Sequence, residues 1–248
     1  MSQIHFRFYA ELNDFLPISL RQIRFLHDYS GSASVKHLVE SLNVPHTEVD
    51  LILVNGRSVG FNHLVKDGNE ISVYPVFESL DISAVGRLRP TPLRDTKFIL
   101  DTHLGQLATY LRLIGFDTLY RNDYRDPELA QISSLESRIL LTKDRGLLKR
   151  NLVTHGYCVR SRYPRDQLVE VVKRFDLSGS IQPFKRCLRC NSLLEPVEKE
   201  KIAHRLPANT RRYYDEFTTC VGCQQLYWPG SHYQRMCRFL KEVLDLEL

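Results

Sequence analysis

Two cysteine pairs, Cys187-Leu-Arg-Cys190 and Cys220-Val-Gly-Cys223, constrain the C-terminal part of this chain more than any other feature. Each C-x-x-C turn brings two thiols to one side of the backbone. Four thiolates in this pattern suit a tetrahedral structural Zn²⁺ ion, in a closed site that stabilises a fold and does no chemistry. Disulfides or an iron–sulfur cluster are the alternatives. Disulfides suit oxidising compartments, and the opening "MSQIHFRFYAELND" has no apolar core of a signal peptide. No apolar run approaches the roughly 18–20 residues that span a bilayer. A cytoplasmic protein without a membrane partner is therefore expected. The 29 residues between the pairs exceed the usual spacing of about 12–20, and a hairpin is expected to absorb them. Residues 181–248 read as a zinc ribbon followed by a C-terminal helix.

The other end of the chain alternates. Ile4, Phe6 and Phe8 fall on one face of a strand, with His5 and Arg7 on the other. A second run leads through Ile23 and Phe25. "SASVKHLVESLNV" offers Ser32 or Ser34 as an N-cap and sets Val35, Leu38, Val39 and Leu42 at helical spacing. Asn55-Gly56 turns one hairpin, and Asp67-Gly68 precedes a strand through Ile71, Val73 and Val76. The expected order over residues 1–80 is β-β-α-β-β. With "LILVNG" and "DGNEISVYPV" it resembles the ubiquitin-like β-grasp fold of small sulfur carriers. Those carriers end in a free Gly-Gly tail, whereas here the chain runs on into "FESLDIS", so sulfur chemistry is not carried over. Docking of a protein or a substrate is expected of this domain, with a packing module as the alternative. Residues 81–95, with Pro90 and Pro92, read as a linker.

From residue 96 to about 180 strands and helices alternate, which argues for a parallel sheet covered on both faces. "KFILD" is an apolar strand ending at Asp101. Leu104, Leu107, Leu111 and Ile114 then form one helical stripe, closed by Gly115 as C-cap. Strand "DTLYR", a helix from about Asp126 to Ser137, strand "RILLT", a short helix with Leu147 and Leu148, strand "GYCVR" and helix "RDQLVEVVKRFD" follow. Ligands of such sheets bind beyond the carboxyl ends of the strands. Asp101 ends the first strand, and Asp144 lies just past "RILLT". Asp123, Asp126 and Glu128 lie between them in sequence. Acids gathered at one sheet edge repel one another unless they share hard cations such as Mg²⁺ or Mn²⁺. Such ions can activate water against a phosphodiester, and Lys143 and Arg145 are placed to touch phosphate. The competing reading makes Asp144 a helix cap, Asp126 an N-cap before Pro127, Asp123 and Glu128 a solvated face, and His103 a surface or capping histidine.

Charge is divided. Residues 1–84 carry 6 Lys/Arg against 10 Asp/Glu, and residues 85–248 carry 28 against 19. A basic C-terminal part points to a polyanion. Around the cysteines, Arg186, Arg189, Arg211 and Arg212 interleave with Tyr213, Tyr214, Tyr227, Trp228, His232 and Tyr233. Cations among aromatics can hold phosphates and stack unpaired bases. Alternatively the aromatics pack a module with little core of its own. His232 in "PGSH" is a candidate to reach the acidic crevice.

"FILDTHLGQLATYLRLIGFDTLY", "DPELAQISSLESRILLTKDRGLL" and "RCLRCN…CVGCQQLYWPGSH", in that order, resemble the Mut-seven C-terminal RNase family over roughly residues 95–238. That family is a PIN-like nuclease with an attached zinc ribbon. Residues 1–80 resemble the ubiquitin-like domain fused to it. The resemblance implies an α/β fold in three parts and metal-dependent hydrolysis of RNA. It maps the "LD" acid to Asp101, the "TKD" acid to Asp144, and the intermediate acid to Asp126 first and Glu128 second. A fourth acid, frequent in PIN domains, has no counterpart. A degenerate, non-catalytic RNA-binding adaptor is the alternative, and a phosphoacceptor domain is a third reading.

Overall fold

A computed structural model describes residues 1–75, residue 88 and residues 96–246. Val76 and, apart from Leu88, the linker expected at 81–95 lie outside the described residues. The elements run β1 (Ser2–Phe8), β2 (Phe25–Tyr29), α1 (Val35–Ser41), β3 (Val49–Val54), β4 (Arg57–Ser58), β5 (Glu70–Pro75) and β6 (Lys97–Leu100). There follow α2 (Gly105–Leu113), β7 (Asp117–Tyr120), α3 (Asp126–Leu135), β8 (Ile139–Thr142), α4 (Arg145–Leu148), β9 (Gly156–Cys158) and α5 (Pro164–Arg174). The last part contains β10 (Leu194–Pro196), α6 (Lys199–Ile202), α7 (Ala208–Tyr213), β11 (Thr218–Cys220), β12 (Leu226–Tyr227) and α8 (Ser231–Leu244). Contacts divide the chain into two compact units: residues 1–103 with 122–159, and residues 104–121 with 160–248.

The first unit holds two sheets. In the N-terminal sheet the order is β2-β1-β5-β3-β4, with β1 and β5 parallel at its centre. Ile4, Phe6 and Phe8 are buried, as their alternation requires, and the Phe6, Phe8 and Phe25 rings pack together. Ser34, of the two candidate serines, caps α1 by accepting the His37 N–H at 3.3 Å. Asn55 and Gly56 have φ of +49° and +77°, so the backbone turns tightly enough to pair Val54 with Arg57. That pairing creates β4, a two-residue strand absent from the expected β-β-α-β-β order. Ile23 precedes β2 rather than lying in it.

The second sheet of this unit is a parallel ladder, β6–β8–β9, with Ile99 opposite Leu140 and Leu141 opposite Tyr157. Phe98, Ile99, Leu100, Leu140 and Leu141 are fully buried. Runs of this kind, apolar at every position, mark strands covered on both faces.

The two sheets are joined. Lys149 Nζ donates to the Glu40 carbonyl (2.8 Å) and to Asn43 Oδ1 (3.2 Å), and Lys36 Nζ donates to Asn151 Oδ1 (2.8 Å). The Cys158 N–H donates to the buried Glu48 carboxylate at 2.5 Å. His46 is buried, with Nδ1 2.7 Å from Glu40 Oε1 and Nε2 2.9 Å from the Val153 carbonyl. Replacing His46 by Ala leaves two acceptors facing a void. It is expected to cost about 1–3 kcal/mol in a urea unfolding curve, whereas an unchanged midpoint would show that this bridge does not hold the sheets together.

The second unit contains α2, β7, α5, the cysteine module and α8. Leu107, Leu111 and Ile114 form the buried stripe the sequence shows. Gly115 follows with φ +98°, and a Cβ there would lie 2.3 Å from the Gln182 carbonyl oxygen, so this C-cap requires glycine. The Tyr110 and Phe239 rings pack at a tilt of 31°, with centres 4.4 Å apart, and tie α2 to α8. The segment between the cysteine pairs is not a plain hairpin. It contributes β10 and β11 and inserts α6 and α7 between them, around a small core of Ile202, Leu206, Phe217 and Leu226. Among the described residues, no helix is long and apolar enough to cross a membrane.

Candidate active site and metal centre

Asp101 follows the last residue of β6. Its N–H donates to the Leu141 carbonyl at 3.1 Å, which extends the ladder by one rung and fixes the acid at the strand end. The side chain is buried. Oδ1 accepts the His103 N–H (2.8 Å) and the Thr102 hydroxyl (3.3 Å). Oδ2 accepts the Thr142 hydroxyl at 2.5 Å. That same Thr142 oxygen, at the end of β8, accepts the Asp144 N–H at 2.9 Å. One hydroxyl thus links the Asp101 carboxylate to the backbone of Asp144 across neighbouring strands. Asp144 is exposed and caps α4, its Oδ1 accepting the Gly146 N–H at 2.7 Å.

Asp126 is the first residue of α3, not its cap. The cap position is Arg125, which makes no side-chain capping bond, and Pro127 takes the second helical position. In the first turn, Asp126 and Glu128 still oppose the positive end of the helix dipole. The Asp126 carboxylate lies 3.7 Å from Arg150. Asp123 and His103 are exposed. Among the described residues, no three of these acids bring donor atoms within 4.8 Å of one another. Thr142 links the Asp101 carboxylate to the backbone of Asp144, while Asp126 and Glu128 lie in the first turn of α3. Lys143 and Arg145 are exposed, and the Arg145 guanidinium lies over the Phe15 ring at 4.9 Å.

The four cysteines do converge, with all four sulfurs within 4.8 Å of one another. Cys187 and Cys223 Sγ are 3.6 Å apart, and Cys190 and Cys220 Sγ are 3.2 Å apart. A disulfide would need about 2.05 Å, and all six cysteines are free. Thiolates around one tetrahedral zinc, at Zn–S of about 2.3 Å, stand about 3.8 Å from each other. The two turns that carry them match bond for bond. Asn191 N–H donates to the Cys187 carbonyl (2.9 Å) and Gln224 N–H to the Cys220 carbonyl (3.0 Å). Cys187 N–H donates to the Ser192 carbonyl (2.8 Å) and Cys220 N–H to the Gln225 carbonyl (2.9 Å). Asn191 and Gln224 both take positive φ, +74° and +58°. Paired knuckles of this kind fit a single Zn²⁺ ion. The Tyr227 hydroxyl lies 3.1 Å from Cys187 Sγ and accepts the Leu188 N–H at 3.2 Å, and burial pushes its phenol well above the ordinary range, so it keeps its proton.

The residues around the knuckles separate into two groups. Arg186, expected to touch substrate, is spent on the fold. Its Nε donates to the Gly115 carbonyl (3.2 Å), Nη1 to the Asn191 carbonyl (3.0 Å), and Nη2 lies 3.6 Å from Asp117. Buried Arg112 does the same work from α2, donating to the carbonyls of Thr118, Leu188 and Arg189. Arg189, Arg211 and Arg212 are exposed, Arg212 against the Tyr213 ring at 5.4 Å. Trp228 packs partly on the Ile202–Leu206–Phe217–Leu226 core. It also lines a cleft of about 1210 Å³ with Arg189, His232 and the tilted ring pair Phe184 and Tyr233.

The profile of the Mut7-C RNAse domain matches residues 96–240. The chain belongs to that family. The profile of the Mut7-C ubiquitin domain matches residues 1–81. No curated protein and no solved structure matches the chain. Membership in an RNAse-domain family points to a nuclease, here joined to a ubiquitin-like domain. Within that frame two residues escape sequence reasoning. Thr142 is the polar end of an otherwise apolar strand, "ILLT", and that interruption is its only trace. Arg112 stands among the leucines of α2, a charge inside a buried helical pattern.

Proposed function

We propose that this member of the Mut7-C RNAse domain family is a ribonuclease that hydrolyses RNA phosphodiesters with Mg²⁺ or Mn²⁺. One observation carries the reading: the Thr142 hydroxyl ties the Asp101 carboxylate to Asp144 at the ends of paired parallel strands. The donors are hard oxygens, as these ions require. Mg²⁺ usually keeps several waters and takes one or two carboxylates plus substrate phosphate rather than a full protein cage, which the Asp101–Asp144 pair fits. These two acids would hold the ion, with Asp126, or Glu128 in its place, completing the set from α3. When bound, the ion supplies an activated water and offsets charge on the scissile phosphate. Thr142 keeps the Asp101 carboxylate turned to the strand end, and the Asp144 cap fixes the start of α4. Lys143 and Arg145 bind phosphate. In the ribbon, Arg189, Arg211 and Arg212 contact the RNA backbone, and Trp228 and His232 offer surfaces to unpaired bases. Arg186 drops out of this set. Zn²⁺ at Cys187, Cys190, Cys220 and Cys223 is structural. The ubiquitin-like domain takes a protein partner, and the protein works in the cytoplasm.

A second reading has its own observation. The three aspartates are not gathered within 4.8 Å, as a degenerate nuclease that binds RNA without cutting would allow. Incubating the zinc-loaded chain with end-labelled RNA separates the two. Cleavage with Mn²⁺ or Mg²⁺, stopped by EDTA and restored by Mn²⁺ once zinc has been returned, supports the nuclease. Retained RNA without cleavage under every metal supports the adaptor.

A further inference from the structure

α4 begins at the Asp144 cap, and from there onward α1 and the turn after it, in the N-terminal domain, grip the chain through Lys149, Asn151, Val153 and Cys158. One contact reaches the site itself. The Arg145 guanidinium carbon lies 4.9 Å from the centre of the Phe15 ring. Phe15 ends a 3₁₀ turn, Ala10–Phe15, of the ubiquitin-like domain and is 5% exposed. Leu12 and Leu16 beside it are buried as well, so the ring presents a fixed surface. An exposed arginine has many rotamers to lose on ordering, and a fixed ring removes most of them beforehand. The guanidinium carbon sits over the ring while the residue stays exposed, so its N–H groups can still pair with phosphate in a bidentate fork.

We infer that Phe15 is a positioning residue of the nuclease site, holding the Arg145 guanidinium, next to Asp144 in the chain, ready for a phosphate of the RNA. This rests on the ribonuclease reading and gives the ubiquitin-like domain a part in substrate binding. A protein partner that displaced the 3₁₀ turn would then act on RNA affinity through Arg145.

A double-substitution cycle in the full-length, zinc-loaded chain tests it, using kcat and KM on a single-stranded RNA oligonucleotide with Mn²⁺. Phe15→Leu is expected to raise KM about three- to fivefold, as an exposed cation–π contact allows, and to leave kcat unchanged. Phe15→Trp, which keeps a ring, restores KM. In the Arg145→Ala background Phe15→Leu adds nothing. An equal rise in that background, or no rise in the native one, overturns the proposal. If the native chain cuts nothing, the ribonuclease reading fails separately, and the same cycle is read from RNA affinity by fluorescence anisotropy with the same two outcomes. Should Phe15→Leu lose its cooperative thermal transition, the Arg145 Nε–H resonance of the native protein decides. A ring-current shift away from the other exposed arginines supports the contact, and a resonance among theirs overturns it.

Discussion

Asp101→Asn is expected to slow RNA cleavage roughly 100-fold or more while leaving the thermal midpoint nearly in place. The substitution is close to isosteric. The remaining carbonyl oxygen can still accept the His103 N–H, which now lies 2.8 Å from Oδ1. The new amide can donate to the Thr142 oxygen in place of the hydroxyl's present donation at 2.5 Å. Only the negative charge is lost, and with it the attraction for a divalent ion. Asp144→Asn is expected to behave alike, because asparagine caps helices as well as aspartate does and the bond to Gly146 survives. Rates from both variants, set beside thermal melts, separate loss of charge from loss of fold. Full activity in both would mean that the acids at the ends of β6 and β8 are caps and nothing more.

The largest effect on the fold is expected from the cysteine centre. Cys187→Ser removes one of two fully buried sulfurs in the knuckles. Among the described residues, the core between the knuckles is a cluster of Ile202, Leu206, Phe217 and Leu226 with the partly buried Val197, Tyr214 and Trp228 against it, to order two short helices and three short strands. A core of that size does not offset the conformational entropy of so many residues. Zinc, whose binding contributes on the order of 10 kcal/mol or more to folding in small metal modules, is expected to make up the difference. Cys187→Ser should therefore drop zinc content well below one ion per chain and remove hydrogen-exchange protection from residues 187–227. The Phe98–Leu100 and Ile139–Thr142 strands, in the other compact unit, should keep theirs. A ribbon that stays protected without metal would refute the structural role.

Much of this was legible in the sequence because it follows from periodicity. Ile4, Phe6 and Phe8 announce a strand by alternating, and "KFIL" and "RILL" announce buried parallel strands by failing to alternate. Each of the latter runs on into an acid, so the pattern itself sets Asp101 and Asp144 at strand ends. What escaped depends on contacts distant in sequence. Charge alone does not tell Arg186, bound to carbonyls and Asp117, from Arg189, which faces solvent. Phe15, His46 and Glu48 read as ordinary members of a separate small domain. Their partners Arg145, Val153 and Cys158 lie about a hundred residues away or more, and no local pattern encodes such pairs. α6 and α7 are too short, at four and six residues, for a helical period to show.

Binding of Mn²⁺ by the zinc-loaded chain, followed by the loss of its free-ion electron paramagnetic resonance signal, tests the central claim most directly. The native chain is expected to take up Mn²⁺ with an affinity that RNA strengthens, and the Asp101→Asn/Asp144→Asn double variant to take up none at the same concentrations. Equal uptake by the two proteins would contradict the assignment of these carboxylates as the metal site.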